Sequence, residues 1–102
     1  MQVPLEVMLE RDQLQQVIKI TTNVAVVGRG QDCDIRIDDP LASRHHCRIE
    51  VVGDQAFVVD LDSRNGSWIG GERVLRQLLS SSDVLRIGST TLQLYGGIEQ
   101  RL

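Results

Sequence analysis

The chain has 102 residues, of which 41% are hydrophobic and 25% are charged. These proportions argue against intrinsic disorder, and the length suits a single domain with its own core. The formal net charge of −3 disfavours general nucleic-acid binding, which needs a surplus of Lys and Arg to neutralise phosphates. Because neither a signal peptide nor an apolar run of membrane-spanning length is evident, a cytoplasmic location is the default expectation.

The first part of the chain predicts three short strands. Residues 3–10 and 16–20 alternate between apolar and polar positions, which is the period of a half-buried strand. Residues 11–13 between them have the composition of a turn. Residues 24–27 form a short apolar run that ends at Gly28. We therefore expect a hairpin followed by a buried strand.

The next segment predicts one brief strand and a loop. Residues 33–37 alternate, with Ile35 and Ile37 facing inward. Asp38-Asp39-Pro40 ends this strand, because Pro lacks an amide donor and restricts the residue before it. Residues 41–45 are then predicted to be a loop.

The middle of the chain carries a hairpin signal. Residues 47–51 and 55–61 alternate on either side of Val52-Gly53-Asp54. A two-residue turn would place Phe57 on the face opposite the core, beside Glu50. Either the connection is longer than two residues, or that second face is partly covered. The sequence leaves both alternatives open.

The last part of the chain predicts further short strands. They fall at residues 68–69 and 73–75 around a Gly-Gly pair, and at residues 84–87 and 91–95 as a closing hairpin. Residues 78–83 are predicted to be a Ser-rich loop. No window has the apolar spacing of a convincing amphipathic helix. Many short strands without crossover helices indicate an antiparallel sandwich or barrel.

Catalytic and metal-binding chemistry are disfavoured. His45, His46 and Cys47 are adjacent, and neighbours on a strand point to opposite faces, so they do not form a nucleophile and base. They also lack the paired spacing of a zinc site. The polar stretch at residues 60–71 departs from a calcium loop, because Gly71 stands where the last carboxylate belongs. We therefore expect no catalytic residue, metal or cofactor.

Three polar loops remain, and each contains Arg. Their sequences are Gly28-Arg29-Gly30, Ser43-Arg44-His45-His46 and Ser63-Arg64-Asn65-Gly66. Loops at one end of a sandwich can converge on one surface. If these three do so, they assemble a cationic site on an acidic protein. Such a site suits one discrete anion rather than a polyanion.

These motifs, in this order and spacing, resemble the forkhead-associated (FHA) domain family. The family pattern is Gly-Arg, then Ser-x-x-His, then Asn-Gly-Thr leading to Asn-Gly. The resemblance extends over residues 26–95, and Leu85-Arg86-Ile87-Gly88 matches the closing hairpin of the family. It implies an all-β, eleven-stranded antiparallel β-sandwich with binding loops at one end, spanning residues 1–96. Residues 97–102 would then begin a C-terminal linker or tail.

The resemblance also implies a function and the residues that carry it. FHA domains recognise phosphothreonine in partner proteins, so the expected partner is a phosphothreonine-containing protein or peptide. A Ser/Thr kinase or its substrate is a candidate, in trans or in cis. The implied roles are phosphate binding by Arg29, Ser43 and Arg44, peptide binding by Arg64 and Asn65, and structural support by Gly28, His46 and Gly66. In that support Gly28 permits a turn, and His46 braces neighbouring loops.

Three positions depart from the family pattern, and one alternative function stays open. Ser67 replaces the usual Thr, Gly70 replaces the second Asn, and Ser82 stands where a Gly often precedes Asp83. The loss of the Asn side chain at position 70 puts the order of its loop in question. The alternative function is a phospho-independent scaffold that uses the same fold to join subunits.

Overall fold

The computed structural model describes residues 5–96, and these residues form strands, turns and loops. The expectations for residues 1–4 and for the tail at 97–102 lie outside the described residues. The strands are β1 Leu5–Arg11, β2 Leu14–Ile20, β3 Val24–Gly28, β4 Ile35–Arg36, β5 Cys47–Val52, β6 Gln55–Asp60, β7 Ser67–Ile69, β8 Glu72–Val74, β9 Arg76–Leu79, β10 Leu85–Ile87 and β11 Thr90–Gly96.

The strands form two sheets, which confirms the predicted all-β sandwich. One sheet has the order β2-β1-β11-β10-β7-β8, and the other has the order β4-β3-β5-β6-β9. Pairing is antiparallel in both sheets apart from β3 and β4, which run parallel. The short strand β4 therefore makes the second sheet a mixed one.

The core lies between the sheets and is built from the inward-facing residues of both. Alternation along the strands places these residues on one face, since successive side chains of a strand point to opposite sides. Ile35 and Ile37 face inward as predicted, and Cys47 is a fully buried core residue. The core residues with no solvent exposure are Leu5, Ala25, Val27, Ile35, Cys47, Ile49, Val58, Leu85, Ile87 and Leu92.

The β5–β6 hairpin decides between the two alternatives left open by the sequence. Val52 pairs with Gln55, so the turn consists of Gly53 and Asp54 alone. Phe57 lies on the outer face and is half-buried, because the Arg76 guanidinium stacks 4.2 Å from its ring centroid. The connection is therefore short, and the second face is partly covered.

One prediction for the last part of the chain is wrong. Residues 78–83 were expected to form a loop, but Leu78 and Leu79 belong to β9, which pairs with β6. Of the four residues of β9 only Leu79 is buried. An exposed edge strand of this kind is stabilised by its neighbour in the sheet and carries little alternation of its own. The Ser-rich connection begins at Ser80.

The register of the second sheet brings three loops to the same end. Val27 near the end of β3 pairs with Cys47 at the start of β5, and Cys47 pairs with Asp60 at the end of β6. The connections β3–β4, β4–β5 and β6–β7 therefore all lie at the same end of the sheet. These three connections, residues 29–34, 37–46 and 61–66, are called the binding-end loops below.

Candidate functional site

Backbone hydrogen bonds join the first two binding-end loops. The amide of Arg29 donates to the Ser43 carbonyl at 3.0 Å, and the amide of Gly30 donates to the Arg44 carbonyl at 2.9 Å. A Cβ on Gly28 would lie 2.2 Å from that Arg44 oxygen, a distance at which no side chain fits. Gly28 is thus required by the close approach of two loops, and not by a turn as the sequence suggested.

The Arg29 guanidinium is held in place from one side. Its Nε donates to the carbonyl oxygen of Ala42 at 2.9 Å, and the side chain is otherwise exposed. A guanidinium carries further N–H donors in the same plane. The contact with Ala42 therefore fixes the orientation of the group while its two terminal nitrogens remain available to an anion.

Ser43 lies at the junction of the second and third binding-end loops. Its hydroxyl oxygen accepts a hydrogen bond from the Arg64 amide at 3.1 Å. Because this contact uses the oxygen as an acceptor, it does not occupy the O–H donor. Ser43 can therefore donate to an anion while it holds Arg64 in position. The Arg64 side chain is exposed.

Asn65 is held by a contact of the same kind as Arg29. Its side-chain Nδ2 donates to the carbonyl oxygen of Leu41 at 2.8 Å. Its backbone carbonyl accepts a hydrogen bond from the Trp68 indole at 3.0 Å. Leu41 and Ala42 are neighbours, so two consecutive carbonyl groups orient the Asn65 amide and the Arg29 guanidinium. The side-chain oxygen of Asn65 and its second N–H are not used in this contact.

His46 connects the loops from beneath. It has no solvent exposure. Its Nδ1 accepts a hydrogen bond from the Ser43 amide at 3.0 Å, and its Nε2 lies 2.8 Å from the Gly66 carbonyl. A backbone amide can only donate and a carbonyl can only accept, so the proton of the imidazole is on Nε2. His46 therefore links the loop of Ser43 to the loop of Gly66.

Gly66 and Gly70 occupy different kinds of turn. Gly66 has φ +91°, and a Cβ there would meet Arg73 Nε at 2.8 Å and Trp68 Nε1 at 2.9 Å. Gly70 has φ +61°, and with Gly71 it forms the two-residue turn between β7 and β8. Glycine at Gly70 gives a regular hairpin turn, so the loss of the family's Asn leaves this connection ordered.

Asp39 organises the second binding-end loop, a role that the sequence analysis missed. Its carboxylate is 1% exposed and accepts hydrogen bonds from the Leu41 amide, the Ser89 amide and the Thr90 hydroxyl. Burial alone would raise the pKa of Asp39, but these hydrogen bonds and the charge of Arg11 outweigh it and lower the pKa below its usual value. Asp39 therefore anchors the segment whose carbonyls hold Arg29 and Asn65.

Asp60 has the corresponding role in the third binding-end loop. Its carboxylate accepts hydrogen bonds from the Ser63 amide, from the Ser63 hydroxyl and from the Ser67 hydroxyl, at 2.6–2.9 Å. Burial opposes ionisation, yet these hydrogen bonds lower the pKa of Asp60. The hydroxyl of Ser63 also accepts from the Gly66 amide. Ser67 thus supplies the hydroxyl that the more usual Thr would supply.

A pocket of about 480 Å³ opens beside Arg29. Its walls include Arg29 and Arg44, which were expected to bind phosphate, and also Gln31, Asp32 and His45, which were not. His45 Nε2 lies 2.9 Å from the Asp32 carboxylate. This hydrogen bond lowers the pKa of Asp32. The pocket therefore combines two cationic side chains with an adjacent carboxylate–imidazole pair.

The predicted site residues are therefore distributed over two adjoining areas. Arg29 and Arg44 line the pocket, whereas Ser43, Arg64 and Asn65 lie outside its walls and are joined by the contacts described above. An anion in the pocket and a chain crossing the neighbouring loops would meet different members of this set. Such an arrangement is that of a binding module on a β-sandwich.

Comparisons with known proteins identify the family. The model of the FHA domain family matches residues 25–88, so the chain belongs to the FHA domain family. A solved structure described as a structural and functional analysis of phosphothreonine-dependent FHA domain interactions superposes with a TM-score of 0.80 at 29% identity. It covers 90% of this chain and 97% of that one.

Two curated relatives are longer than this chain. The oxoglutarate dehydrogenase inhibitor of Corynebacterium jeikeium is 37% identical over 72% of the chain, which spans 51% of that relative. The FHA domain-containing protein FhaA of Mycobacterium tuberculosis is 36% identical over 66% of the chain, which spans 13% of FhaA. The likeness therefore concerns one domain of each relative and not its whole length.

Proposed function

We propose that the chain is a phosphothreonine-peptide recognition module that mediates phosphorylation-dependent protein–protein interaction in Ser/Thr kinase signalling. The observation that carries this proposal is the pair of consecutive carbonyls at Leu41 and Ala42. One orients the Asn65 amide and the other the Arg29 guanidinium. A guanidinium and an amide oriented by neighbouring carbonyls suit a phosphate group and the peptide backbone attached to it.

Electrostatics favour a phosphate as the anion. A phosphothreonine carries about −1.5 to −2 charges and three strong acceptor oxygens. Arg29 and Arg44 supply positive charge beside one pocket, and the Ser43 hydroxyl supplies a further donor. Each charge-assisted hydrogen bond contributes about 1.5–3 kcal/mol. Three or four of them, less the immobilisation of a flexible peptide, leave about −8 kcal/mol, which corresponds to micromolar affinity.

Asn65 and Arg64 are proposed to read the peptide rather than the phosphate. Both lie on the third binding-end loop and are exposed. The side-chain oxygen and second N–H of Asn65 match the donor and acceptor of a peptide backbone. The exposed guanidinium of Arg64 would favour acidic or polar side chains near the phosphothreonine. Gly28, His46 and Gly66 hold the loops that carry these residues.

The remaining features of the proposal follow from this binding role. We propose that the domain spans residues 1–96, acts without enzymatic activity, requires no cofactor to bind, and meets its phosphorylated partner in the cytoplasm, in trans or in cis. Nucleic acid and membrane are not expected partners. In residues 5–96 there is no helix with the length and apolar character to cross a membrane.

The proposal is tested by titrating the protein with an oriented library of phosphothreonine peptides. Replacement of Arg29 by Ala removes at least two charge-assisted contacts, so the affinity should fall by about 100-fold or more. The fold should be unaffected, because the side chain is exposed. Lys19→Ala is the matched control, since Lys19 is an exposed cation on β2, outside the binding-end loops. Its affinity should equal that of the wild type.

Unphosphorylated peptides of the same library separate this function from the phospho-independent scaffold. The proposal expects them to bind at least about 100-fold more weakly than the phosphorylated ones. Undiminished binding by Arg29→Ala, or equal binding of both libraries, would overturn the phosphate assignment. The second result would favour the scaffold.

A further inference from the structure

One cluster at the pocket, of which two members line the wall, has no part in the proposed function. Asp32, Cys33 and His45 come from the first two binding-end loops, and one ligand atom of each lies within 4.8 Å of those of the other two. The atoms are a carboxylate oxygen, Sγ and an imidazole nitrogen. His45 Nε2 is 2.9 Å from Asp32 Oδ2 and 3.1 Å from Oδ1. Cys33 is a free thiol.

We propose that Asp32, Cys33 and His45 bind a divalent transition-metal ion of the Zn²⁺ class. A thiolate, an imidazole and a carboxylate form a set that selects such an ion over Mg²⁺ or Ca²⁺, which prefer oxygen ligands alone. Metal–ligand distances of about 2.0–2.3 Å in tetrahedral geometry separate neighbouring donors by roughly 3.3–3.6 Å. The cluster reaches that spacing when the donors move by about 1 Å.

The backbone around the cluster fixes the two loops that supply the ligands. The Cys33 amide donates to the Gly30 carbonyl at 3.2 Å, and the Arg44 carbonyl accepts from both the Gly30 amide and the Cys33 thiol. Cys33 is therefore held against the residue that precedes His45. A metal ion would replace only the thiol contact and the Asp32–His45 pair. An exposed pair of this kind contributes about 0–1 kcal/mol, so little stability is lost.

The second cysteine does not compete for the ion. Cys47 has no solvent exposure and belongs to the core between the sheets. Its sulfur is therefore out of reach of an ion bound at the pocket. Replacement of Cys47 is therefore a control for the replacement of Cys33.

The position of the cluster links the metal to the anion site, an inference that rests on the proposed function. Three protein ligands leave a fourth tetrahedral position open, and Asp32 and His45 line the same pocket as Arg29 and Arg44. With the metal bound and the thiol deprotonated, the net charge of the cluster rises from −1 to about 0. The metal should therefore strengthen phosphate binding, and by linkage the phosphopeptide should strengthen metal binding by the same factor.

Cobalt(II) provides the direct test, because thiolate coordination gives a sulfur-to-cobalt charge-transfer band. The protein is titrated with Co²⁺ in a thiol-free reductant, and Zn²⁺ is then added in competition. The wild type should bind one ion with the band, and Zn²⁺ should abolish it. Cys33→Ser should lack the band, and His45→Gln should bind at least about tenfold more weakly. Cys47→Ala should behave as the wild type.

Absence of the band in the wild type, or its persistence in Cys33→Ser, would overturn the metal site. Circular dichroism of each variant shows whether the fold is intact. If Cys47→Ala unfolds, alkylation of the half-buried Cys33 thiol in the wild-type protein replaces it. Loss of the band after modification of Cys33 alone then supports the site, and its survival overturns it.

A second measurement separates this inference from the proposed function. The phosphothreonine peptide library is titrated with and without Zn²⁺ into the wild type and Cys33→Ser. A gain in affinity with Zn²⁺ in the wild type alone supports the coupling. Unchanged affinity in the wild type overturns the coupling. A metal band without any phosphopeptide binding leaves the metal site standing and overturns the proposed function instead.

Discussion

The β5–β6 and β7–β8 turns use glycine for a different reason from the binding-end loops. Gly53 and Gly70 have φ near +60°, and a Cβ at either would meet nothing within 4 Å. A Cβ at Gly28 or Gly66 would instead come within 3 Å of another segment. The β5–β6 and β7–β8 turns need only the left-handed backbone conformation. Gly28 instead leaves room for the backbone of the loop that contains Arg44, and Gly66 leaves room for the side chains of Arg73 and Trp68. The two turns are thus independent structures, whereas the binding-end loops depend on the segments packed against them.

Carboxylates make the same distinction. Asp39 and Asp60 each accept several hydrogen bonds at the binding end, while Asp54 is exposed at a hairpin tip. A strand pair satisfies its own backbone groups, but a loop must find other partners for them. At the binding end, those partners are carboxylate side chains and the backbone of a neighbouring loop. Substitutions there should therefore disturb more of the domain than substitutions in the hairpins.

The largest effect is expected for Gly28→Ala. The added methyl group would meet the Arg44 carbonyl at 2.2 Å, and the contact is with backbone, which cannot rotate away. We expect a loss of at least about 3 kcal/mol in the free energy of unfolding, measured by urea denaturation. A loss below about 1 kcal/mol would contradict the interdependence of the first two loops.

Asp39→Asn should have the next largest effect. In either orientation the amide NH₂ would face a backbone amide donor, that of Leu41 or that of Ser89, and the attraction to Arg11 would be lost. We expect about 2–4 kcal/mol of destabilisation. Phosphopeptide affinity should also fall, because the Leu41 segment loses its anchor. Asp54→Asn is the control and should change neither quantity.

The pH dependence of the same variant gives the sign of the electrostatic contribution. The pKa of Asp39 is lowered in the folded state, so the unfolded chain takes up the proton more readily. The stabilisation is fully present above the unfolded value of about 3.9 and is lost as the pH falls from there through the lower folded pKa. Urea denaturation from pH 7 to 2.5 should therefore show the difference between the wild type and Asp39→Asn shrinking below about pH 4. A constant difference would refute this assignment.

The smallest effect is expected for Ala at the glycines of the β5–β6 and β7–β8 turns. Gly53→Ala and Gly70→Ala strain a left-handed backbone but meet no neighbour, so each should cost about 1 kcal/mol. Thermal denaturation measures this change, and phosphopeptide titration should show unaltered affinity for both. A loss of affinity in Gly70→Ala would place the β7–β8 turn in the binding site and remove the contrast with the loops.

Local patterns in the sequence predicted the parts of the fold that depend on neighbours along the chain. The alternation of residues 47–51 and 55–61 with Gly53-Asp54 gave the β5–β6 hairpin. Strand β9 was not predicted because it is short and exposed and pairs with a neighbour on one side only. Its conformation is set by pairing with β6, about twenty residues earlier, and the sequence of β9 itself has no pattern that indicates this pairing.

In the candidate site, too, local motifs predicted some residues, whereas others depend on contacts made only in the folded chain. Arg29, Ser43 and Asn65 lie in recognisable motifs, whereas the roles of Asp39 and Asp60 depend on the hydrogen-bond donors that surround them in the folded chain. A weak signal existed at Asp60, since an Asp followed three residues later by Ser is typical of a side-chain-capped turn. The metal-ligand cluster joins two loops and has no sequence spacing to reveal it.

The consecutive carbonyls of Leu41 and Ala42 have a consequence for the kinetics of binding. They hold Arg29 and Asn65 in fixed orientations before any ligand arrives, so no rearrangement of these side chains has to precede association. Encounter rates should then vary little among related peptides. Selectivity between tightly and weakly binding peptides should therefore appear in their dissociation rates.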